Sequence, residues 1–302
     1  MIVAEVVRSG FVESVHHGSV AVLGGPSRGD VTSPIFPRSA NKPLQAVGML
    51  RAGLVPRDES DLALISGSHF GEPVHVRRVR EMLDAAGLTA AALRCPAALP
   101  HTEDARDDWL RRQGGPEPIL MNCSGKHAGM LATCVVNGWP LDSYLDPKHP
   151  LQVALAEAVT DLAGEPIAAV GVDGCGAPVF AFSLMALAGA YARLVDAAPG
   201  SFERRVADEM RAHPELVAGT GANDTALMRT VPGLLAKVGA EGVIAAAVPG
   251  RGAVAVKIED GAERARTPVL LDELDRLGVA LPPLEELVLG GGEPVGRVRA
   301  VR

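Results

Sequence analysis

Ser39 and Lys42 stand three residues apart in "FPRSANKPLQA", a spacing that puts both side chains on one face of a helical turn. A serine hydroxyl is a weak nucleophile until a neighbour takes its proton, and a lysine does this only when neutral. From an ordinary pKa near 10.4 that requires a fall of about 3 units, or about 4 kcal/mol of bias from burial and nearby positive charge. Arg38, next in the chain, is placed either to repel the ammonium or to bind a substrate carboxylate. The spacing Ser-x-x-Lys is that of penicillin-recognising serine enzymes. It also fits a plain helix start with a capping serine and an exposed lysine. Pro43 bears on the geometry. With Ser39 as N-cap, the proline falls at the fourth helical position and removes a hydrogen bond. With Asn41 as N-cap, Lys42 and Pro43 take the first two positions, where a missing N–H costs nothing, and Ser39 lies in a turn just ahead.

A second pair is available. "SGSHFGEP" presents Ser66, Ser68 and His69 at the end of an apolar run, and catalytic side chains collect in such loops. Lys257 sits in the apolar strand "GAVAVKIEDG". It either faces an edge or is buried and reaches Ser68, which would give the protein two Ser–Lys pairs. "MNCSGKHAGM" and "GVDGCGAP" place Cys123 and Cys175 in glycine-rich turns. Two cysteines with one nitrogen ligand make a zinc site with an open fourth position. His127, four residues after Cys123, is one nitrogen; Lys126 is another, provided it loses its proton. Two ordinary buried thiols are the plainer alternative. Asp173 follows the strand "IAAVGV" in a glycine turn. There it either accepts from a substrate ammonium or closes an Asx-turn on its own backbone.

These residues need elements to hold them. The chain has 302 residues and is 47% hydrophobic but only 3% aromatic, so a sizeable core must be built from Ala, Val and Leu. Few aromatics and a net charge of −7 argue against a nucleic-acid partner, which needs stacking platforms and massed Lys and Arg. The start of the chain lacks the pattern of a signal peptide. The longest uncharged stretch, Gly174 to Ala192, contains Pro178 and several glycines and reads as strand plus helix rather than a membrane span. Four cysteines do not form a disulfide framework, and a cytoplasmic protein is expected.

Strands are predicted at 2–8 and 19–24, and "LALISGSHF" reads as a further short strand. Helices are predicted for "NKPLQAVGMLRAGL", "PVHVRRVREMLDAAGL", "EDARDDWLRRQ", "GKHAGMLATCVVNG" and "HPLQVALAEAVTDLAG", each bounded by Pro or Gly signals. "IAAVGVDGCGAPVFAFSLMALAGAYARLV" reads strand, glycine turn, strand, helix. Further helices are predicted at about 200–212 and 224–230. Three consecutive strands follow, "GLLAKVG", "GVIAAAV" and "GAVAVKIED", then a helix "TPVLLDELDRLG" and a glycine-rich tail. Consecutive strands suggest antiparallel hairpins, so a single α+β domain spanning 1–302 is expected.

Taken together and in this order, "RSGFVESVHHGSVAV", "FPRSANKPLQA", "SGSHFGEP", "MNCSGKHAGML" and "VDGCGAPVFA" closely resemble the Rhizobium etli-type asparaginases, the thermolabile asparaginase II family, over about residues 5–260. The resemblance implies a serine β-lactamase/glutaminase-like fold, an antiparallel sheet flanked by helices. It implies hydrolysis of L-asparagine to aspartate and ammonia by a homodimer with a zinc ion near the active site. It also implies Ser39–Lys42 and Ser68–Lys257 as the two pairs, and Cys123, Lys126 and Cys175 as zinc ligands, favouring the lysine over His127. Arg38, His127 and Asp173 would line the substrate site. In that scheme Ser39 attacks the side-chain amide, Arg38 meets the substrate carboxylate and Asp173 its ammonium. Other readings keep parts of this set: a glutaminase or a penicillin-recognising hydrolase keeps the nucleophile, and a silent zinc-binding or sensing protein keeps only the cysteines.

Overall fold

The computed structural model describes all 302 residues. The chain opens with β1 (Ile2–Arg8) and β2 (Phe11–Leu23), joined by Ser9 and Gly10, both at positive φ. Two such residues make the tight turn whose twist suits a hairpin. For that reason β2 starts at Phe11 rather than near residue 19, and no long connector precedes it. A short β3 (Pro34–Ile35) and a 3-10 turn, Arg38–Asn41, lead into α1 (Lys42–Arg51). Asn41 is its N-cap, and Lys42 and Pro43 occupy its first two positions, as the proline chemistry requires.

Next come α2 (Asp61–Ile65), α3 (Pro73–Ala85), α4 (Glu103–Arg111), α5 (Ser124–Asn137) and α6 (Pro150–Ala163). The "LALI" segment expected as a strand is thus the helix α2. Its five residues are all buried, so the run carries no polar face from which to tell a helical period from an extended one. Then follow β4 (Ala169–Val172), β5 (Pro178–Ser183), α7 (Leu184–Asp196), α8 (Phe202–Ala212), α9 (Pro214–Val217) and α10 (Asn223–Thr230). The chain ends with β6 (Leu235–Gly239), β7 (Val243–Val248), β8 (Gly252–Ile258), α11 (Arg266–Arg276), β9 (Glu286–Gly290) and β10 (Glu293–Ala300). The glycine-rich tail is therefore a hairpin. Gly291 and Gly292, both at positive φ, turn it, and β10 pairs with β1 from Ala4 opposite Ala300 to Arg8 opposite Gly296.

The main sheet is antiparallel with strand order β6-β7-β8-β2-β1-β10-β9; a small sheet has order β3-β5-β4. The fold class is α+β. Every residue of β7 is buried, because α7 and α11 both pack against β7 and β8. One apolar cluster runs through sheet and helices. The edge strand β6 lies against the Arg38–Asn41 turn, which brings residues far apart in sequence into one place.

Candidate active site

Two side-chain clusters gather residues singled out in the sequence, and the first is built around lysines. Lys42 is buried. Its Nζ donates to Ser68 Oγ at 2.9 Å and to the Gly67 carbonyl at 2.5 Å. Ser68 is held by its backbone: its N–H donates to Val217 O at 2.6 Å, and Phe70 N–H donates to Ala218 O at 2.7 Å. This docking demands a glycine at 67, where a Cβ would sit 2.7 Å from Val217 O. His69 fixes the same loop. Its Nδ1 accepts from Gly71 N–H at 3.1 Å, so Nε2 carries the proton and donates to Ser124 Oγ at 2.8 Å, and that hydroxyl donates to Ile119 O. Burial pushes His69 well below the usual histidine range, with His75 and Lys42 adding to the effect; it serves as a neutral latch.

Ser39 and Ser68 line one cleft of about 340 Å³, together with Val238–Ala240 at the end of β6 and the charged side chains Asp224, Glu263 and Arg266. That volume suits a small-molecule site. Ser39 sits in the 3-10 turn directly after Arg38, whose φ is +53°. A non-glycine residue there stores about 1–2 kcal/mol of strain, a common mark of functional turns.

One sequence expectation is corrected here. Lys257 does not meet Ser68. It lies on β8 opposite Ser19 and Val243, only part-buried, and its Nζ is held by Glu241 O and Ile258 O, both at 2.6 Å. The second buried lysine behind the cleft is Lys237 on β6, fully enclosed. Gly239, two residues on and so on the same face of the strand, abuts the serine-bearing turn: a Cβ there would lie 2.4 Å from Pro37 O and 3.3 Å from Ala40 N. Lys237 Nζ donates to Val238 O at 2.9 Å and stands 3.8 Å from Asp224 Oδ2. Burial pushes Lys237 down to about 8, Lys42 and Arg266 add to this, and Asp224 opposes it. A glycine two residues after a strand lysine was the available signal, since a strand glycine marks close backbone approach.

Arg38 and Asp173 pair with each other. Arg38 Nε donates to Asp173 Oδ1 at 2.6 Å, and neither residue borders the cleft. Burial works against charge on Asp173, but Arg38 and Lys126 outweigh it and hold the carboxyl below its usual range.

The second cluster gathers Cys123, Lys126, His127 and Cys175, all buried. Lys126 Nζ is 3.3 Å from Cys175 Sγ. His127 Nδ1 is 2.6 Å from the Tyr144 hydroxyl, and its Nε2 has no partner. Contact with Cys175 drives Cys123 well below the usual thiol range, while the same contact and burial raise Cys175; the pair favours one thiolate beside one thiol. Burial opposes charge on Lys126, yet Cys175, Cys123 and Asp173 together overcome it and raise the lysine. No three His, Cys, Asp or Glu side chains converge as metal ligands. A metal here would use two sulfurs and one nitrogen. That set suits a soft divalent ion, one sulfur already favours its ligating form, and Lys126 would have to surrender its proton. No helix is long and apolar enough to cross a membrane.

The α+β fold thus brings Ser39 and Ser68 to one cleft, with the buried Lys42 in contact with Ser68. The L-asparaginase II family profile matches residues 4–300, and the chain belongs to that family. No curated protein matches it. Among solved structures it is similar to Mglu crystallised in 4.3 M NaCl, at 15% identity and TM-score 0.47, over 87% of this chain and 60% of that one. It is also similar to a putative β-lactamase from Bacteroides dorei, at 13% identity and TM-score 0.45, over 86% of this chain and 92% of that one. A β-lactamase from Mycobacterium bovis is matched at 13% identity and TM-score 0.40 over the same shares of the two chains. The chain spans about 60% of the length of Mglu.

Proposed function

We propose that this protein hydrolyses L-asparagine to aspartate and ammonia through a serine ester, acting as one unit over residues 1–302. The observation that carries this reading is the 2.9 Å contact of Lys42 with Ser68, in the wall of the cleft that Ser39 shares. Ser39 is the nucleophile in this scheme. It lies at the entry to α1, whose N-terminal end favours developing negative charge. It also faces β6, an edge strand with one row of N–H groups lacking a strand partner. Ser68, by contrast, spends its own N–H on Val217 O.

In the first step Ser39 Oγ bonds to the side-chain amide carbon while its proton passes to Lys42. Lys42, with the Ser68 hydroxyl as relay, returns that proton to the amide nitrogen. The C–N bond breaks and ammonia leaves. A water then attacks the ester, giving its proton to the same lysine, and aspartate departs as Ser39 is reprotonated. Lys237 takes the place in this scheme that the resemblance implied for Lys257. Its positive form stabilises the oxyanion, and its neutral form stands ready to accept a proton.

Cys123, Cys175 and Lys126 would hold a zinc ion, which supplies positive charge and a rigid anchor for the two turns that carry them; the serine already provides the nucleophile. A cytoplasmic homodimer completes the proposal, consistent with four cysteines that are all free.

Ammonia release from asparagine, glutamine and other small amides tests the reading, alongside turnover of a chromogenic cephalosporin. Trapping the acyl-enzyme and locating the ester by mass spectrometry is expected to find it on Ser39. An ester on Ser68 reverses the two serines' roles, and cephalosporin turnover without ammonia from any amide overturns the function.

A further inference from the structure

A second cavity, of about 350 Å³, lies between α3 and α4. Each helix presents one row of side chains to it: Val76, Arg77 and Arg80 from α3, Ala105, Asp108 and Trp109 from α4. α3 packs on α5, but α4 has no buried residue, so its inner row borders open space instead of a neighbouring helix. Trp109 is nonetheless fixed. Its indole N–H donates to Gly115 O at 2.9 Å, and the chain wraps so closely around the pyrrole edge that a Cβ at 114 would collide with it. A rigid aromatic plate thus borders the cavity.

The cations there are less committed. Three arginines and two acids line the walls. Asp108 pairs with Arg112 at 2.7 Å, and Glu81 pairs with Arg57 at 3.1 Å while standing 3.8 Å from Arg77. Arg80 is left without an anionic partner. The wall toward the catalytic cleft is one layer of chain. Gly71 and Pro100 border the cavity, and their neighbours Phe70 and His101 border the cleft. His101 N–H donates to Phe70 O at 2.7 Å, the two rings lie 4.8 Å apart, and a Cβ at 71 would lie 3.2 Å from Pro100 Cα.

We propose that the cavity between α3 and α4 is a binding site for a planar aromatic carboxylate, and that its occupancy stiffens the loop bearing Ser68. A one- or two-ring body suits the volume and finds Trp109, Val76 and Leu120 as apolar partners. Arg80 supplies the unpaired cation, and its planar fork matches a carboxylate. Arg77 is free to join it, because an exposed contact such as that with Glu81 contributes little. The ligand gives α4 the apolar cover it lacks and bears on Gly71 and Pro100, which reduces the freedom of the wall they share with the cleft.

Calorimetry with 2-naphthoate tests the site, with 2-naphthamide as its neutral isostere and cyclohexanecarboxylate as its non-aromatic counterpart. 2-Naphthoate is expected to bind one-to-one and at least about 10-fold more tightly than either. Arg80→Gln should weaken it by about 5–10-fold and abolish the margin over the amide. Trp109→Leu should weaken it by about 10-fold; Arg80 is exposed, so its variant keeps the test open if the tryptophan variant does not fold. Arg266→Gln, in the cleft, should leave the affinity unchanged. No binding, equal affinity for the amide, or a loss with Arg266→Gln and not with Arg80→Gln overturns the site. Hydrogen exchange reads the loop, whether or not the protein proves to be an amidohydrolase. With 2-naphthoate bound, the amides of Phe70, Gly71 and His101 are expected to exchange about 5-fold more slowly or better, and those of β7 and β8 at the unliganded rate. Unaltered exchange at these three amides, or an equal slowing throughout the chain, overturns the stiffening.

Discussion

Two lysines, Lys237 and Lys126, are equally enclosed, and the protein treats them in opposite ways. Burial dominates at Lys237, which has one imperfect anion for company and falls to about 8. At Lys126 burial is as complete, but two sulfurs and Asp173 surround the ammonium and raise it. Desolvation alone therefore does not decide whether a buried amine becomes a base; the neighbours do. The lysine pocket holds an amine ready to give up its proton near neutral pH. The cysteine pocket holds one that yields its proton only to a stronger competitor for the sulfurs.

The widest separation between the pockets is expected from Ser39→Ala against Cys175→Ser. The first should lower ammonia release by about 10⁴-fold or more with the fold unchanged, as for other activated serines. The second should act mainly on affinity, metal content and thermal stability. Equal losses of turnover would merge the two pockets into one catalytic unit.

Exchange of the lysines sharpens this. Lys237→Met is expected to cost about 10²–10³-fold in kcat while zinc content, measured by elemental analysis, stays at the wild-type level. Lys126→Met should lose the zinc. Lys257→Ala, which removes only hydrogen bonds to two part-exposed carbonyls, should stay within about 0.5 kcal/mol of wild type in stability and leave turnover alone. A large loss of turnover there would restore the assignment the sequence suggested.

Gly239→Ala is a smaller, purely geometric probe. The new Cβ meets Pro37 O at 2.4 Å and must push the serine-bearing turn away from β6. A shift of this kind is expected to cost about 10²-fold in kcat and about 1–3 kcal/mol in stability, with the metal retained.

The mildest effect is that of acid. His69 and His75, stacked with ring centroids 5.1 Å apart, are both depressed below the usual 6.5, chiefly by burial. The folded state favours their neutral forms, so the unfolded chain binds protons first as the pH drops. Their contribution is complete above about pH 6.5 and is lost below it, by up to about 1.4 kcal/mol per pH unit for each. Denaturant midpoints measured from pH 7.5 to 5 should fall accordingly, and His69→Gln should flatten the slope.

Much of this architecture is legible in the chain. Proline and glycine punctuation places α1, α3, α5 and α6, because those residues act locally through φ and missing donors. The hairpin run β6–β8 is legible through its turns. What escapes is decided by tertiary surroundings. The buried α2 has no polar face to reveal its period. The tail strands are thin in apolar residues and exist because β1 offers them an edge. The two strand lysines look alike in "LLAKVGA" and "VAVKIED"; only the position of β6 beside the Arg38–Asn41 turn, against the inner position of β8 in its sheet, distinguishes them. The cysteines, Lys42 and Ser68 converge from sequence motifs, whereas Asp224 and Arg266 belong to no motif and are visible only once the cleft has walls.

The ion pair between Arg38 and Asp173 has a mechanical reading. Asp173 opens the turn that holds Cys175, and Arg38 is the strained residue immediately before Ser39. The two pockets are therefore tied through one ion pair, Asp173 at the head of the turn that holds Cys175 and Arg38 directly before Ser39.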